Sequence, residues 1–121
     1  MKGILILAHG SRQKSTEDTL VQIVAALKER VSGYEIEFAF MEFSEKDIPT
    51  GIDALVAKGI SDIVAVPYFL FDGIHIRQDI PEEIEKALQV HPNVTVTLGK
   101  TLGADPRLAD VLADRVQEAL A

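Results

Sequence analysis

The sequence predicts an α/β protein, a single three-layer αβα domain over residues 1–121 with a four-stranded parallel sheet at its centre. Three observations carry that prediction. Short apolar runs alternate with helical patterns in the order β-α-β-α-β-α-β-α. The first run is continuously apolar, as in a strand covered on both faces. The stretches between them carry glycine, proline and aspartate where helices start or stop.

Residues 3–8 form the first run, expected as a buried strand. Residues 14–31 repeat apolar side chains at Leu20, Ile23, Val24, Leu27 and Val31, which is helical spacing. Ser15 or Thr16 is the expected cap, Glu17 and Asp18 fill the first turn, and Gly33 terminates the helix. Residues 34–41 alternate and then turn apolar, giving strand two. Residues 50–58 read as a short helix closed by Gly59, and residues 60–66 as a third strand stopping at Pro67. A loop from Pro67 to Arg77 follows. Residues 81–90 form a helix with Pro81 in its first turn and Asp79 near its cap. Residues 93–98 make strand four, and residues 105–120 the last helix, capped by Asp105 with Pro106 at its first position. Right-handed crossovers follow from this order.

Composition narrows the function. The formal net charge of −7 argues against an extended nucleic-acid surface. Without cysteine there is no disulfide, thiolate metal site or cysteine nucleophile. No signal-peptide pattern follows Met1-Lys2-Gly3, and no apolar stretch is long enough to span a bilayer, so a cytoplasmic protein without membrane contact is expected.

In a parallel sheet all strands end at one edge, where open α/β sheets bind ligands. Strand one brings His9, Gly10, Ser11 and Arg12 to that edge, and strand two brings Glu42. Strand three brings Tyr68 and Phe69, then the loop with His75 and Arg77; strand four brings Lys100. Two imidazoles facing one cleft point to metal chemistry or proton transfer. Gly10 permits close backbone approach to a ligand. Glu42 reads either as an exposed carboxylate or as a base that orients an imidazole. Phe69, Leu70 and Phe71 form an apolar loop stripe suited to the core, a flat ligand or a subunit contact. Arg12, Arg77 and Lys100 are either surface charges or anion-binding groups. His91, before Pro92 at the opposite edge, reads as structural or merely exposed. Dinucleotide, P-loop and nucleophile-elbow patterns are missing from the sequence.

Three segments carry a family resemblance: Ala8-His9-Gly10-Ser11-Arg12, Phe40-Met41-Glu42, and the run from Val66 through Pro67-Tyr68-Phe69-Leu70-Phe71-Asp72-Gly73-Ile74-His75 to Pro81. The chain resembles the sirohydrochlorin chelatases, class II enzymes that insert cobalt, nickel or iron into a tetrapyrrole. The resemblance implies a chelatase-like, flavodoxin-like half domain in the short form of the family, working as a homodimer whose second subunit completes the cleft. It implies His9 and His75 as metal-contacting residues and Glu42 as their acidic companion. Gly10, Ser11, Arg12, Phe69, Arg77 and Lys100 are the expected substrate-binding residues. The implied reaction releases two protons from a polycarboxylate macrocycle, in cobalamin or a related biosynthesis. The divalent metal (Co²⁺, Ni²⁺ or Fe²⁺) is then a substrate, and no cofactor is permanently bound. Two other readings use the same residues. One is a non-catalytic metal or tetrapyrrole carrier. The other is a histidine-phosphatase-like hydrolase, against which Ala8 stands where an arginine is required.

Overall fold

A computed structural model describes residues 2–121; the side chain of His75 lies outside the described residues. The elements run β1 (Lys2–Ala8), α1 (Lys14–Arg30), β2 (Glu35–Phe40), α2 (Ile48–Ala57), β3 (Asp62–Pro67), α3 (Ile74–Val90), β4 (Thr95–Leu98) and α4 (Pro106–Leu120). All pairings are parallel and the strand order is β2-β1-β3-β4. The chain therefore winds outward from β1 to β2, then crosses back to β3 and β4. Its topological switch lies between β1 and β3, the position where doubly wound sheets open a crevice for ligands.

β1 is central and apolar because it is covered twice. Leu5 and Leu7 point into one core with Ile48, Ile52 and Leu55 of α2 and Ile80, Ile84 and Ala87 of α3. Ile6 and Ala8 point into a second core with Leu20 and Val24 of α1 and Ile36 and Phe40 of β2. This alternation is the period-2 geometry of a strand.

The cap of α1 and the starts of α2 and α3 differ from the sequence expectation. α1 starts at Lys14 with Gln13 at its cap position, so Ser15 and Thr16 lie inside the first turn and cap nothing. The turn is held instead by Ser11, whose Oγ accepts from the Gln13 N–H at 3.1 Å and meets the Thr16 hydroxyl. α2 starts two residues early, at Ile48, because Asp47 accepts from the Thr50 N–H at 3.0 Å and Pro49 fits the first turn.

The largest correction concerns α3. It begins at Ile74, not at residue 81, and Pro81 lies inside it. A proline there removes one intrahelical donor and costs about 3 kcal/mol. Ile76, Ile80, Ile84 and Ala87 continue one apolar face across the proline, and Ile80 is fully buried. Burying such side chains contributes about 1.5–3 kcal/mol each, so packing outweighs the break. Asp79 is therefore a mid-helix residue, and His75 sits in the first helical turn, not in a loop.

Candidate active site

The register sets the site. Ala8 pairs with Phe40, and the ladder continues beyond both strands: the Met41 N–H donates to the Ala8 carbonyl at 2.9 Å and the Glu42 N–H to the His9 carbonyl at 3.2 Å. His9 and Glu42 are thus held side by side at the C-terminal edge. Their side chains meet, with His9 Nε2 3.0 Å from Glu42 Oε1. The Phe69 ring stands edge-on to the imidazole, with centroids 6.0 Å apart. Phe69 is anchored from both sides: the Tyr68 N–H donates to the Leu7 carbonyl, and the Leu102 N–H to the Phe69 carbonyl. Gly10 has φ +93, and a Cβ there would lie 2.1 Å from the Glu42 carbonyl oxygen. Only glycine allows this approach.

His9 and Glu42 open into a cleft of about 250 Å³ whose other acidic lining is Asp47, Asp79, Glu82 and Glu83. Asp79 and Glu83 are one helical turn apart on α3, and Asp47 caps α2. The sequence reading missed these four carboxylates. The signal was the i, i+3, i+7 spacing of Ile76, Asp79 and Glu83, which is hidden once the helix is started at Pro81.

Gly10, Ser11 and Arg12 line an adjoining hollow of about 150 Å³ together with Lys14 and Phe43. The Arg12 guanidinium carbon lies 4.9 Å from the centre of the Phe43 ring. Phe43 has φ 58, an uncommon conformation for a non-glycine residue, and is a further residue the sequence did not flag. On the far side, Arg77 and Lys100 line a wider hollow of about 610 Å³ between the loops after β3 and β4. Arg77 is already engaged: its Nε and Nη2 donate to one Asp72 oxygen at 2.9 and 2.7 Å. This pairing holds the Asp72 carboxyl below the ordinary carboxylate range and raises the Arg77 guanidinium. His91 is distant from the site, with Nε2 2.6 Å from Asp53 Oδ1, tying the end of α3 to α2 as the structural reading expects.

The predicted residues therefore fall into three neighbouring groups along one edge: His9, Glu42 and Phe69; Gly10, Ser11 and Arg12; and Arg77 with Lys100. The backbone of His75 belongs to the same edge, at the start of α3, while its side chain lies outside the described residues. Among the described residues no three histidine or carboxylate groups converge to cage a metal ion. Glu42 instead acts on one imidazole. If it accepts the Nε2–H, the Nδ1 lone pair is left free to bind a cation.

Comparison with known proteins identifies the fold and the family together. The CbiX family model matches residues 3–119. The chain belongs to the CbiX family. This CbiX-family chain is 36% identical over 129 residues to the sirohydrochlorin cobaltochelatase of Methanococcoides burtonii, covering 98% of this chain and 96% of that one. It is 34% identical over 118 residues to the sirohydrochlorin ferrochelatase of Priestia megaterium, of which it spans only 44%. It thus matches nearly the whole of some relatives and under half of others. Among solved structures, a putative cobalamin biosynthesis CbiX protein from Marinobacter aquaeolei superposes with a TM-score of 0.81 at 31% identity, covering 99% of this chain and 98% of that one. The sirohydrochlorin chelatase SirB from Bacillus subtilis subspecies spizizenii, in complex with cobalt, superposes with a TM-score of 0.88 at 32% identity, covering 97% of this chain and 50% of that one. The flavodoxin-like, chelatase-like half domain expected from the sequence is the fold observed.

Proposed function

We propose that this chain is a sirohydrochlorin chelatase that inserts a divalent metal into the macrocycle with release of two protons. Co²⁺ is the first candidate, and Ni²⁺ and Fe²⁺ suit the same donors. The observation that carries the reading is the His9–Glu42 pair at the end of β1, inside a carboxylate-lined cleft of a CbiX-family fold.

The charge distribution supports a division of labour. Glu42, Asp47, Asp79, Glu82 and Glu83 make the central cleft attractive to a cation and repulsive to a polycarboxylate. Arg12 and Lys14 on one side and Lys100 on the other offer the macrocycle's carboxylates their counter-charges. The metal enters at the acidic centre while the ring is held from its flanks.

His9 binds the metal through a neutral imidazole whose tautomer Glu42 sets, and His75 supplies the second imidazole. Two ligands hold the ion weakly enough for the four ring nitrogens to take it, which a closed four-ligand cage would prevent. As the metal–nitrogen bonds form, the two pyrrole N–H protons leave. Glu42 accepts one, and the neighbouring carboxylates relay them to solvent. The working form is a homodimer whose second subunit closes the cleft. A cytoplasmic location suits so water-soluble a substrate.

The test is the absorbance of sirohydrochlorin mixed with Co²⁺, with and without catalytic amounts of the protein. Multiple-turnover conversion that is lost in His9→Ala and His75→Ala supports the reading. Stoichiometric binding without turnover would make the protein a carrier, and full activity in either variant would remove the histidines from the mechanism.

A further inference from the structure

The turn after β2 carries a strain that packing does not explain. The ladder between β1 and β2 runs on through Met41 and Glu42, and at Phe43 the backbone leaves it with φ 58. Among the described residues no other non-glycine residue has positive φ. An aromatic residue adopts this left-handed conformation at a cost, and keeps it only where its surroundings fix it. Here the surroundings are explicit. The Phe40 N–H donates to the Lys46 carbonyl at 2.7 Å, and the Lys46 N–H to Ser44 Oγ at 3.0 Å. Lys46 Nζ donates to Glu17 Oε2 at 2.7 Å and lies 5.0 Å from the centre of the Phe38 ring. The loop is closed on itself and clipped to α1.

Burial does not repay the strain, because Phe43 is 53% exposed. Its ring instead faces Arg12, whose guanidinium carbon lies 4.9 Å from the ring centre. Arg12 stands apart from the other arginines. Arg30 donates to the Ala26 carbonyl, Arg77 to Asp72, Arg107 to Asp105 and Arg115 to Glu118. Among the described residues the Arg12 guanidinium donates to no acceptor, and the ring is its recorded contact. Glu17, the carboxylate that lines the same hollow, is taken by Lys46. The positive charge of Arg12 and Lys14 is therefore left for a ligand.

We infer that Phe43 is a positioning residue for the substrate: its ring holds the Arg12 guanidinium, with the N–H donors free, to receive one side-chain carboxylate of the macrocycle. The inference rests on the chelatase reading and gives the strained turn its purpose. A ring face attracts the cation through its quadrupole and leaves the N–H fork for a planar, bidentate carboxylate. Holding the long side chain in place also reduces the freedom it loses when the substrate binds. The turn at Phe43 links the two halves of the task. Glu42 lines the acidic cleft beside His9, and the next residue lines the basic hollow. The carboxylate contact is thus set one residue away from the metal end, which fixes the macrocycle relative to His9.

Phe43→Leu tests this directly, since leucine keeps an apolar side chain at the same φ and removes the ring face. Two quantities are measured: the Kd of metal-free sirohydrochlorin from its absorbance change, and KM and kcat for Co²⁺ insertion. Circular dichroism checks the fold of each variant. Phe43→Leu is expected to raise Kd and KM about 3- to 5-fold with kcat unchanged, and Phe43→Tyr to restore both. Arg12→Ala, at an exposed position, is expected to raise both at least about 10-fold. In the Arg12→Ala background Phe43→Leu should add nothing, because the ring acts through the guanidinium. An unchanged Kd in either single variant overturns the inference. So does a Phe43→Leu effect that survives in full without Arg12, or a fall in kcat with KM constant, which would mean that the turn serves Glu42 alone. The Kd series also separates this inference from the reaction. A chain that binds sirohydrochlorin and responds to Phe43→Leu without turnover keeps the positioning role and loses the chelatase reading. A chain with normal turnover whose Kd ignores Phe43→Leu loses the positioning role alone.

Discussion

The Glu42 carbonyl oxygen lies so close to Gly10 that a Cβ on Gly10 would stand 2.1 Å from it, well inside contact distance. The imidazole of His9 and the carboxylate of Glu42 therefore meet because residue 10 has no side chain and takes φ +93. Gly10→Ala must open this contact and strain the backbone together. Destabilisation of about 2 kcal/mol is expected, with chelation reduced at least tenfold as the pair separates. Urea denaturation and the cobalt assay check both. An alanine variant with unchanged stability and turnover would mean that the close approach is unimportant.

Glu42→Gln separates geometry from charge. The amide oxygen can still accept from His9 Nε2, so the imidazole keeps its orientation, but the proton acceptor is lost. Replacing a partner that orients a ligating histidine costs about 10–100-fold in metal affinity or activity. Turnover is expected to fall by that amount while KM for sirohydrochlorin stays constant, because the proposed reading assigns the macrocycle's carboxylates to Arg12, Lys14 and Lys100. A changed KM with unchanged kcat would place Glu42 on the substrate instead.

Asp72 and Arg77 give a pH-dependent prediction. Arg77 depresses the Asp72 carboxyl, so the pair's contribution to stability is fully present above the unfolded carboxylate value of about 3.9. It is lost as pH falls through the lower folded value. Both side chains are largely exposed, so the contribution is small and screened by salt. Asp72→Asn is therefore expected to lower stability slightly at pH 7 in low salt, to lose that effect in high salt, and to match wild type in acid. The same variant frees the Arg77 guanidinium, and KM for the polycarboxylate substrate is expected to fall. A raised KM would show that Asp72 positions Arg77 for the substrate.

The sequence made the layers legible because period-2 and helical patterns are both written in apolar side chains, and in β1 and in Leu20, Val24 and Leu27 of α1 those side chains are the ones that pack. It also placed His9, Glu42 and Phe69 at one edge, since strand direction alone decides which residues end there. The start of α3 was hidden by a local rule: Pro81 reads as a first-turn residue, yet Ile76, Ile80 and Ile84 bury a face that runs straight through it. The acidic wall of the cleft was lost with that boundary, because Asp79, Glu82 and Glu83 share a cleft only if the helix begins upstream. The exposure of α4, no residue of which is buried, was equally illegible, since an amphipathic pattern specifies a stripe but not the surface that covers it.

Pro81 supports the last prediction. It is exposed, so an alanine would forfeit little buried surface there. Within α3 it lacks the N–H that would reach the carbonyl of Arg77, at a cost of about 3 kcal/mol. Its restriction of the unfolded chain returns about 1 kcal/mol at most. Pro81→Ala should therefore stabilise the protein by about 2 kcal/mol, raising both Tm and the urea midpoint. The cleft side chains stay on the same helical face, so chelation should change by less than about twofold. Lower stability would show that the helix needs the break to lay Ile76 and Ile80 on the sheet. Higher stability with lost activity would show instead that a pliable first turn of α3, which carries His75, is part of how the metal is passed to the ring.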